Sequence, residues 1–156
     1  MAFLTTLNII ASGMTAQQVR LDVISENVTN INTTRTEGGG PYTRKVVRFE
    51  AQSNKNSFRN AMSRAAMRCR GVPNRRYQTA GGVRVTEILD DESEEHPIVY
   101  DPSHPDANEN GYVELPNVTL VKEVTDAMAA SQAYNADVTA FNTLKQVIAR
   151  GLDIGS

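Results

Sequence analysis

The run Asp106-Ala107-Asn108-Glu109-Asn110-Gly111 sets oxygen-bearing side chains at alternate positions and a glycine at the sixth, which is the first half of a calcium-wrapping loop. The second half departs from that pattern. Its twelfth position is Asn117, which cannot supply a bidentate carboxylate, Pro116 sits beside it, and Pro105 stands where an entering helix would end. A plain turn is the expected outcome. His96, His104 and Cys69 are zinc-ligand types, and His96, His104 and Asp106 would be the donor set of a metal-dependent enzyme. Nothing in their spacing gathers them, and each histidine adjoins a proline, so both read as surface residues on loops. Arg68-Cys69-Arg70 would favour a thiolate, yet a nucleophile also needs a positioned base, and no Cys-His-Asn or Cys-His-Asp arrangement is legible. Cys69 is the single cysteine, so no intramolecular disulfide is available.

From Ser53 to Gly81 the chain carries Lys55, Arg59, Arg64, Arg68, Arg70, Arg75 and Arg76 with no acidic residue. With Phe58 and Tyr77 to stack on bases, this has some features of a nucleic-acid footprint. Two aromatics are few for that length, and the block Glu87, Asp90, Asp91, Glu92, Glu94, Glu95 follows closely. Both charge runs read as solvated loops. The formal charge of -2 over 156 residues points the same way, away from a protein built to neutralise phosphate. The sequons at Asn27, Asn32 and Asn117 carry no meaning without a signal peptide. The expectation is a chain with no catalytic residues, no metal, no cofactor, no small-molecule substrate and no nucleic-acid partner.

The elements around these loops are more informative. From Phe3 to Ile31 apolar residues recur every three or four positions, with Leu7, Met14, Leu21 and Val28 in one heptad position and Phe3, Ile10, Ile24 and Ile31 in the other. Gln17 fills the one gap. Beside this stripe run the small residues Ala11, Ser12, Gly13, Thr15 and Ala16, and Gly13 costs a helix about 1 kcal/mol relative to Ala, so it needs a packing reason. A second helix is predicted after Pro116-Asn117, with Leu120, Val124, Met128, Ser131, Tyr134, Val138, Phe141, Leu144, Ile148 and Leu152 in helical spacing and Gly151 as its first stop signal. Ala127, Ala129, Ala130, Ala133 and Ala136 crowd beside it. Two such helices have more packing surface than one pair uses, and the surplus is expected to contact other subunits. A lone hairpin of this kind would bury the stripes and leave the rest in water. The isolated monomer is therefore expected to have an ordered β unit and largely unstructured terminal helices until assembly.

Between the helices the period changes. Gly38-Gly39-Gly40-Pro41 is a stop, Tyr42 to Phe49 reads as a strand, and Val83 to Ile88 alternates as a second, with Val83, Val85 and Ile88 toward the buried side. His96 to Tyr100 is a shorter candidate that Pro97 keeps at an edge. Three or four such strands would make one small β unit. Composition agrees with helix packing over an aromatic core: 40% of residues are hydrophobic, only 6% aromatic, and Trp is absent. The start lacks a basic n-region, so no Sec-type signal is expected there, and no segment reaches the roughly 20 apolar residues of a membrane span.

The segment Leu21-Asp22-Val23-Ile24-Ser25-Glu26-Asn27-Val28-Thr29-Asn30-Ile31-Asn32-Thr33 closes the first helix. Its Asn27, Asn30 and Asn32 suit a helix end made of side-chain-to-backbone bonds and a left-handed residue. This run resembles the N-terminal signature of the flagellar axial proteins, the rod and hook family, in which an amphipathic helix ends in an Asn-rich N-x-x-N-x-N-T segment. Gly40 to Phe49 and Gly82 to Ile88 look like that family's strands. Val99 to Val118 is very similar to the block before the last helix in proximal rod members, and Met128-Ala129-Ala130-Ser131-Gln132-Ala133-Tyr134 resembles their Ala-Ser-x-x-Tyr helix. The resemblance covers the chain apart from residues 51 to 80.

The resemblance implies an α+β fold, with long N- and C-terminal helices packed in a coiled-coil-like helical domain and a small β domain inserted between them. The boundaries expected are 1–34 for the N-terminal helix, 35–115 for the β domain and 116–156 for the C-terminal helix. Function would be structural: a subunit of the proximal rod of the flagellar basal body, part of the motor's drive shaft. It would reach the cell envelope through the flagellar type III export apparatus without a cleaved signal. Implied partners are copies of itself, other rod proteins, and export-gate or membrane-ring adaptor proteins. The assembly interface would be Phe3, Leu7, Ile10, Met14, Leu21, Ile24, Val28 and Ile31 on one helix with Val124, Met128, Tyr134, Val138, Phe141 and Ile148 on the other; Asn27, Asn30, Asn32 and Thr33 mark the signature. The rival readings are a coiled-coil module gripping one protein partner and the metal-dependent enzyme above.

Overall fold

The computed structural model describes residues 2–53, 62 and 80–154. Helix α1 spans Ala2–Thr29 and helix α2 spans Leu120–Ile154, at 28 and 35 residues. Between them lie strands β1 (Lys45–Ser53) and β2 (Ala80–Asp90), paired antiparallel, and the short antiparallel pair β3 (Ile98–Tyr100) and β4 (Tyr112–Glu114). The chain is thus α+β, two long terminal helices with small antiparallel sheets between. The strands form two separate two-stranded sheets rather than one unit. The reason is at Asp91, whose amide bonds the Arg44 carbonyl and closes the first ladder, after which the chain turns away before β3 begins. The basic stretch with Phe58, Cys69 and Tyr77 lies outside the described residues except for Met62, as does the Phe3 side chain.

The α1 and α2 pair pack on each other, and the β1–β2 ribbon lies along α1. Close approach is allowed by two glycines. Gly13 faces Asp137 of α2, where an added Cβ would sit 2.8 Å from the carboxylate oxygen, which supplies the packing reason its helix penalty requires. Gly82, at a φ of 103°, lies against Ser12; the Ser12 hydroxyl accepts the Val83 amide at 3.0 Å and donates to the Ile9 carbonyl at 2.6 Å, tying ribbon to helix. The ribbon carries irregularities between Arg48 and Phe49 and between Ala51 and Ser53, which bend and twist it.

Several local expectations change. Gly151 does not stop α2, which runs on to Ile154. No described non-glycine residue adopts a positive φ, so α1 ends without a left-handed asparagine. Instead the Asn30 amide and side chain both donate to the Glu26 carbonyl, the Ile31 amide donates to the Val28 carbonyl, and Thr33 folds back onto Asn30. Ile88 is half exposed rather than inward. Among the described residues the buried apolar ones are Ala16, Val23, Ile24, Tyr42, Val113 and Ala130.

Candidate functional site

The most enclosed part of the described structure is polar. Asn27, in the last turn of α1, is fully buried. Its side-chain oxygen accepts the Lys45 amide and the Tyr42 hydroxyl, each at 2.9 Å, and its nitrogen donates to the Lys45 carbonyl at 2.9 Å and to Glu123 Oε2 at 3.1 Å. Every donor and acceptor of the amide group is engaged. One residue of α1 thereby fixes the start of β1 and the first turns of α2.

Arg44 extends the cluster. Its Nε donates to Glu123 Oε1 at 2.6 Å, Nη1 to Asp91 at 3.0 Å and Nη2 to Asp126 at 3.1 Å, and Asp126 also accepts from Arg20 of α1 at 3.2 Å. Glu123 and Asp126 stand three apart, so α2 presents both on one face. Asn117 ties the loops in the same way: its oxygen accepts the Arg44 amide at 2.7 Å, and its nitrogen donates to the Asp91 and Glu94 carbonyls at 2.8 and 3.0 Å. Two arginines thus meet three carboxylates in a closed network. Burial by itself would lower the Arg44 pKa, but the hydrogen bonds and charges of Glu123 and Asp91 outweigh it and the net shift is upward. The Ser93 hydroxyl and amide, with Arg44, hold Asp91 below its ordinary value against a smaller effect of burial. Burial, then the charges of Glu26, Asp90 and Glu123, push Tyr42 up to about 12.

Such a network has no open position and no group aimed at an outside ligand. Its chemistry is that of a clasp. Among the described residues no trio of His, Cys, Asp or Glu is grouped for a metal. The pseudo-loop carboxylate of Asp106 accepts from the Thr34 hydroxyl at 2.8 Å and from Arg35 at 3.4 Å. His104 accepts the Asp106 amide at 3.2 Å, while His96 sits 3.0 Å from the Leu115 carbonyl and 3.5 Å from Thr43. His104 thus serves its own loop, while His96 links the segment before β3 to those before β1 and after β4. The acidic block is mostly exposed, as expected for solvated charge, apart from Asp91.

The expected interface residues separate into groups. Ile24 is buried; Leu7, Ile10, Met14, Leu21, Val28 and Ile31 are half-buried, as are Tyr134, Val138, Phe141 and Ile148; Val124 and Met128 stand 48% and 60% exposed. The inner face of the pair is formed instead by Gly13, Ala16 and Asn27 of α1 with Glu123, Ala130 and Asp137 of α2. Small and polar residues therefore meet across the pair, and of the described stripe residues Ile24 is buried. Of the signature, Asn27 is structural core, Asn30 and Thr33 end the helix, and Asn32 is exposed. Tyr42, Arg44, Asn117 and Glu123 were missed as a group. The available signal was Glu123, a carboxylate in the helical row that continues through Ala130, Asp137 and Phe141.

Residues 7–35 match the family described as flagella basal body rod protein, and residues 109–154 match the C-terminal family described for flagellar basal body rod FlgEFG proteins. The chain is 40% identical to the flagellar basal-body rod protein FlgC of Bacillus subtilis, over 96% of each chain. It is 38% identical to the protein of that name from Borreliella burgdorferi, over 99% of this chain and 98% of the other. Against the protein of that name from Salmonella typhimurium the identity is 32%, over 99% of each. The first matched segment contains Asn27 and the second contains Asn117 and Glu123, so the clasp joins the two.

Proposed function

The chain belongs to the flagellar basal-body rod protein FlgC family, and on that footing we propose that it is a structural, non-enzymatic subunit of the flagellar basal-body rod whose terminal helices do the assembling. The clasp holds the two chain ends in one body, the β1–β2 ribbon braces α1, and the flanks of the helix pair meet other subunits in coiled-coil-like packing. Partners on this reading are further copies and other rod proteins, with export-gate or membrane-ring adaptor proteins at the base. The position is the proximal rod, reached through the flagellar type III export apparatus without a cleaved signal. The division into an N-terminal helix 1–34, a β domain 35–115 and a C-terminal helix 116–156 goes with the same reading.

The observation that carries it is the row Leu120, Val124 and Met128. These lie four apart on α2 and stay 50%, 48% and 60% exposed after the helices have paired. An apolar row left in water on a folded chain marks a contact made elsewhere. The test is the double substitution Val124→Asp/Met128→Asp, placed in a motile strain in place of the native chain. Both side chains are about half exposed in the monomer, so the purified variant should melt close to the native chain while swimming and rod formation, seen by electron microscopy, are lost. Normal rods would overturn the reading.

A further inference from the structure

Of the nine described lysines and arginines, seven pair with carboxylates of their own chain. The two without an ion pair among the described residues are Lys145 and Arg150, both exposed on the last turns of α2. Arg150 stands three residues after Val147, so the two share one helix face, and Val147 is 53% exposed. A cation and an apolar side chain are left open together at the end of α2 away from the clasp.

The complementary surface lies at the clasp end. The register pairs Ile98 with Glu114 and Tyr100 with Tyr112, so these four side chains share one face of the β3–β4 sheet. Val113, on the other face, is buried, whereas Ile98, Tyr100 and Tyr112 are 63%, 64% and 46% exposed and Glu114 is exposed with them. The two tyrosine rings meet edge to face at 5.2 Å. Among the described residues Glu114 has no ion pair, nor have Glu92, Glu95 and Glu109 of the flanking loops. Arginine is the cation that best combines stacking on tyrosine with pairing to a carboxylate. Ile98 and Tyr100 stand about 7 Å apart along their strand, close to the roughly 5–6 Å between residues three apart on a helix, so a valine can lie on Ile98 while the arginine lies on the tyrosines.

One chain cannot make this contact with itself. Asn117 bonds the Arg44 amide and the Glu94 carbonyl, which roots the sheet at the Glu123 end of α2, and Thr34 on Asp106 holds the β3–β4 loop beyond the end of α1. From Glu123 to Arg150 α2 is one continuous helix, which sets these residues about 40 Å apart. Strands of three residues, about 10 Å long, do not reach across that distance.

Resting on the rod reading above, we propose that the Val147/Arg150 face of one copy docks head to tail on the Ile98/Tyr100/Tyr112/Glu114 face of the next, with Arg150 stacked on the tyrosines and paired with Glu114. A contact between two different surfaces of identical chains generates a ring or an open helix rather than a two-fold dimer, and an open helix is what a rod requires.

The test exchanges the charges. Glu114→Arg and Arg150→Glu are placed singly and together in a motile strain in place of the native chain. Both side chains are exposed, so each purified variant should melt close to the native chain. Either single variant sets like charges opposite one another and should cut the yield of rods, counted by electron microscopy, about tenfold. The double variant should recover it. Single variants with the native yield, or a double variant no better than the singles, overturn this contact and leave the rod reading standing; a strain lacking the chain that still builds rods overturns that reading instead. Cross-linking identifies the neighbour, in a Cys69→Ser background. Full-length chains carrying Ile98→Cys are co-expressed with mass-tagged chains carrying Val147→Cys, and the isolated basal bodies are oxidised mildly. The mixed dimer should form about tenfold more than when Ala136→Cys, also exposed on α2, replaces Val147→Cys. Equal yields from the two positions overturn the proposal.

Discussion

Arg44 and Glu123, 79 positions apart in sequence, form an ion pair of 2.6 Å in which the glutamate is fully buried and the arginine nearly so. Removing Arg44 leaves Glu123 buried with the Asn27 amide but no cation, which costs about 3–5 kcal/mol, a large share of the ~5–15 kcal/mol by which domains are stable, whereas removing Glu123 leaves Arg44 its pairs with Asp91 and Asp126. Arg44→Met should therefore lower the thermal midpoint sharply, and Glu123→Ala should lower it less. The pair Arg44→Met/Glu123→Met should recover much of the loss, because two matched apolar groups need no desolvation. A double variant no better than the worse single one would show that Asp91 and Asp126, rather than Glu123, hold Arg44.

Gln17 is the gap in the apolar stripe of α1, and its side-chain oxygen is buried without a hydrogen-bond partner among the described residues. An unmet buried acceptor costs about 1–3 kcal/mol. Gln17→Leu fills the stripe and removes that acceptor, so the purified chain should melt at a higher temperature. A lower midpoint would show that the oxygen has a partner in the folded chain.

Tyr42 donates its hydroxyl to Asn27, and its pKa is pushed up to about 12. The sign follows from linkage. The unfolded tyrosine loses its proton near 10 and the folded one near 12, so the contribution is complete below pH 10 and fades as pH rises through that window. Native chain should lose stability there more steeply than Tyr42→Phe, measured by urea midpoints across the alkaline range. Parallel curves would mean that the hydroxyl is solvated.

Leu21 and Phe141 are half-buried. A carboxylate at either position loses apolar packing in the monomer and places an unpaired charge in the proposed seam. Leu21→Asp and Phe141→Asp should both abolish rod assembly, with a modest fall in melting temperature and the ribbon intact by hydrogen exchange. Motile cells carrying either variant would show that the flank is not an interface.

The clasp also changes what is expected of the free monomer. Because Asn27 and Glu123 bond where the last turn of α1 meets the first turn of α2, amides from 16 to 27 and from 123 to 130 should exchange slowly alongside β1 and β2 in dilute monomer. The ends, 4 to 10 and 144 to 154, should exchange fast. Uniformly fast exchange through both helices would restore the simpler view in which they order only on assembly.

Two long helices at the chain ends, a Gly-Pro stop and two strands near 45 and 85 were legible in the sequence because periodicity and breakers are local properties. The Asn-rich run carried the family resemblance for the same reason: it is contiguous. What the sequence could not contain was which helix face turns inward. An apolar stripe and a small-residue strip run side by side on each helix, and it is the approach of Gly13 to Asp137 and of Asn27 to Glu123 that sets those faces toward each other. Arg44 likewise reads locally as one more cation in a strand. It becomes the centre of the molecule because Asp91, Glu123 and Asp126, up to 82 residues away, close around it, and pairing over such separations is decided by tertiary packing alone.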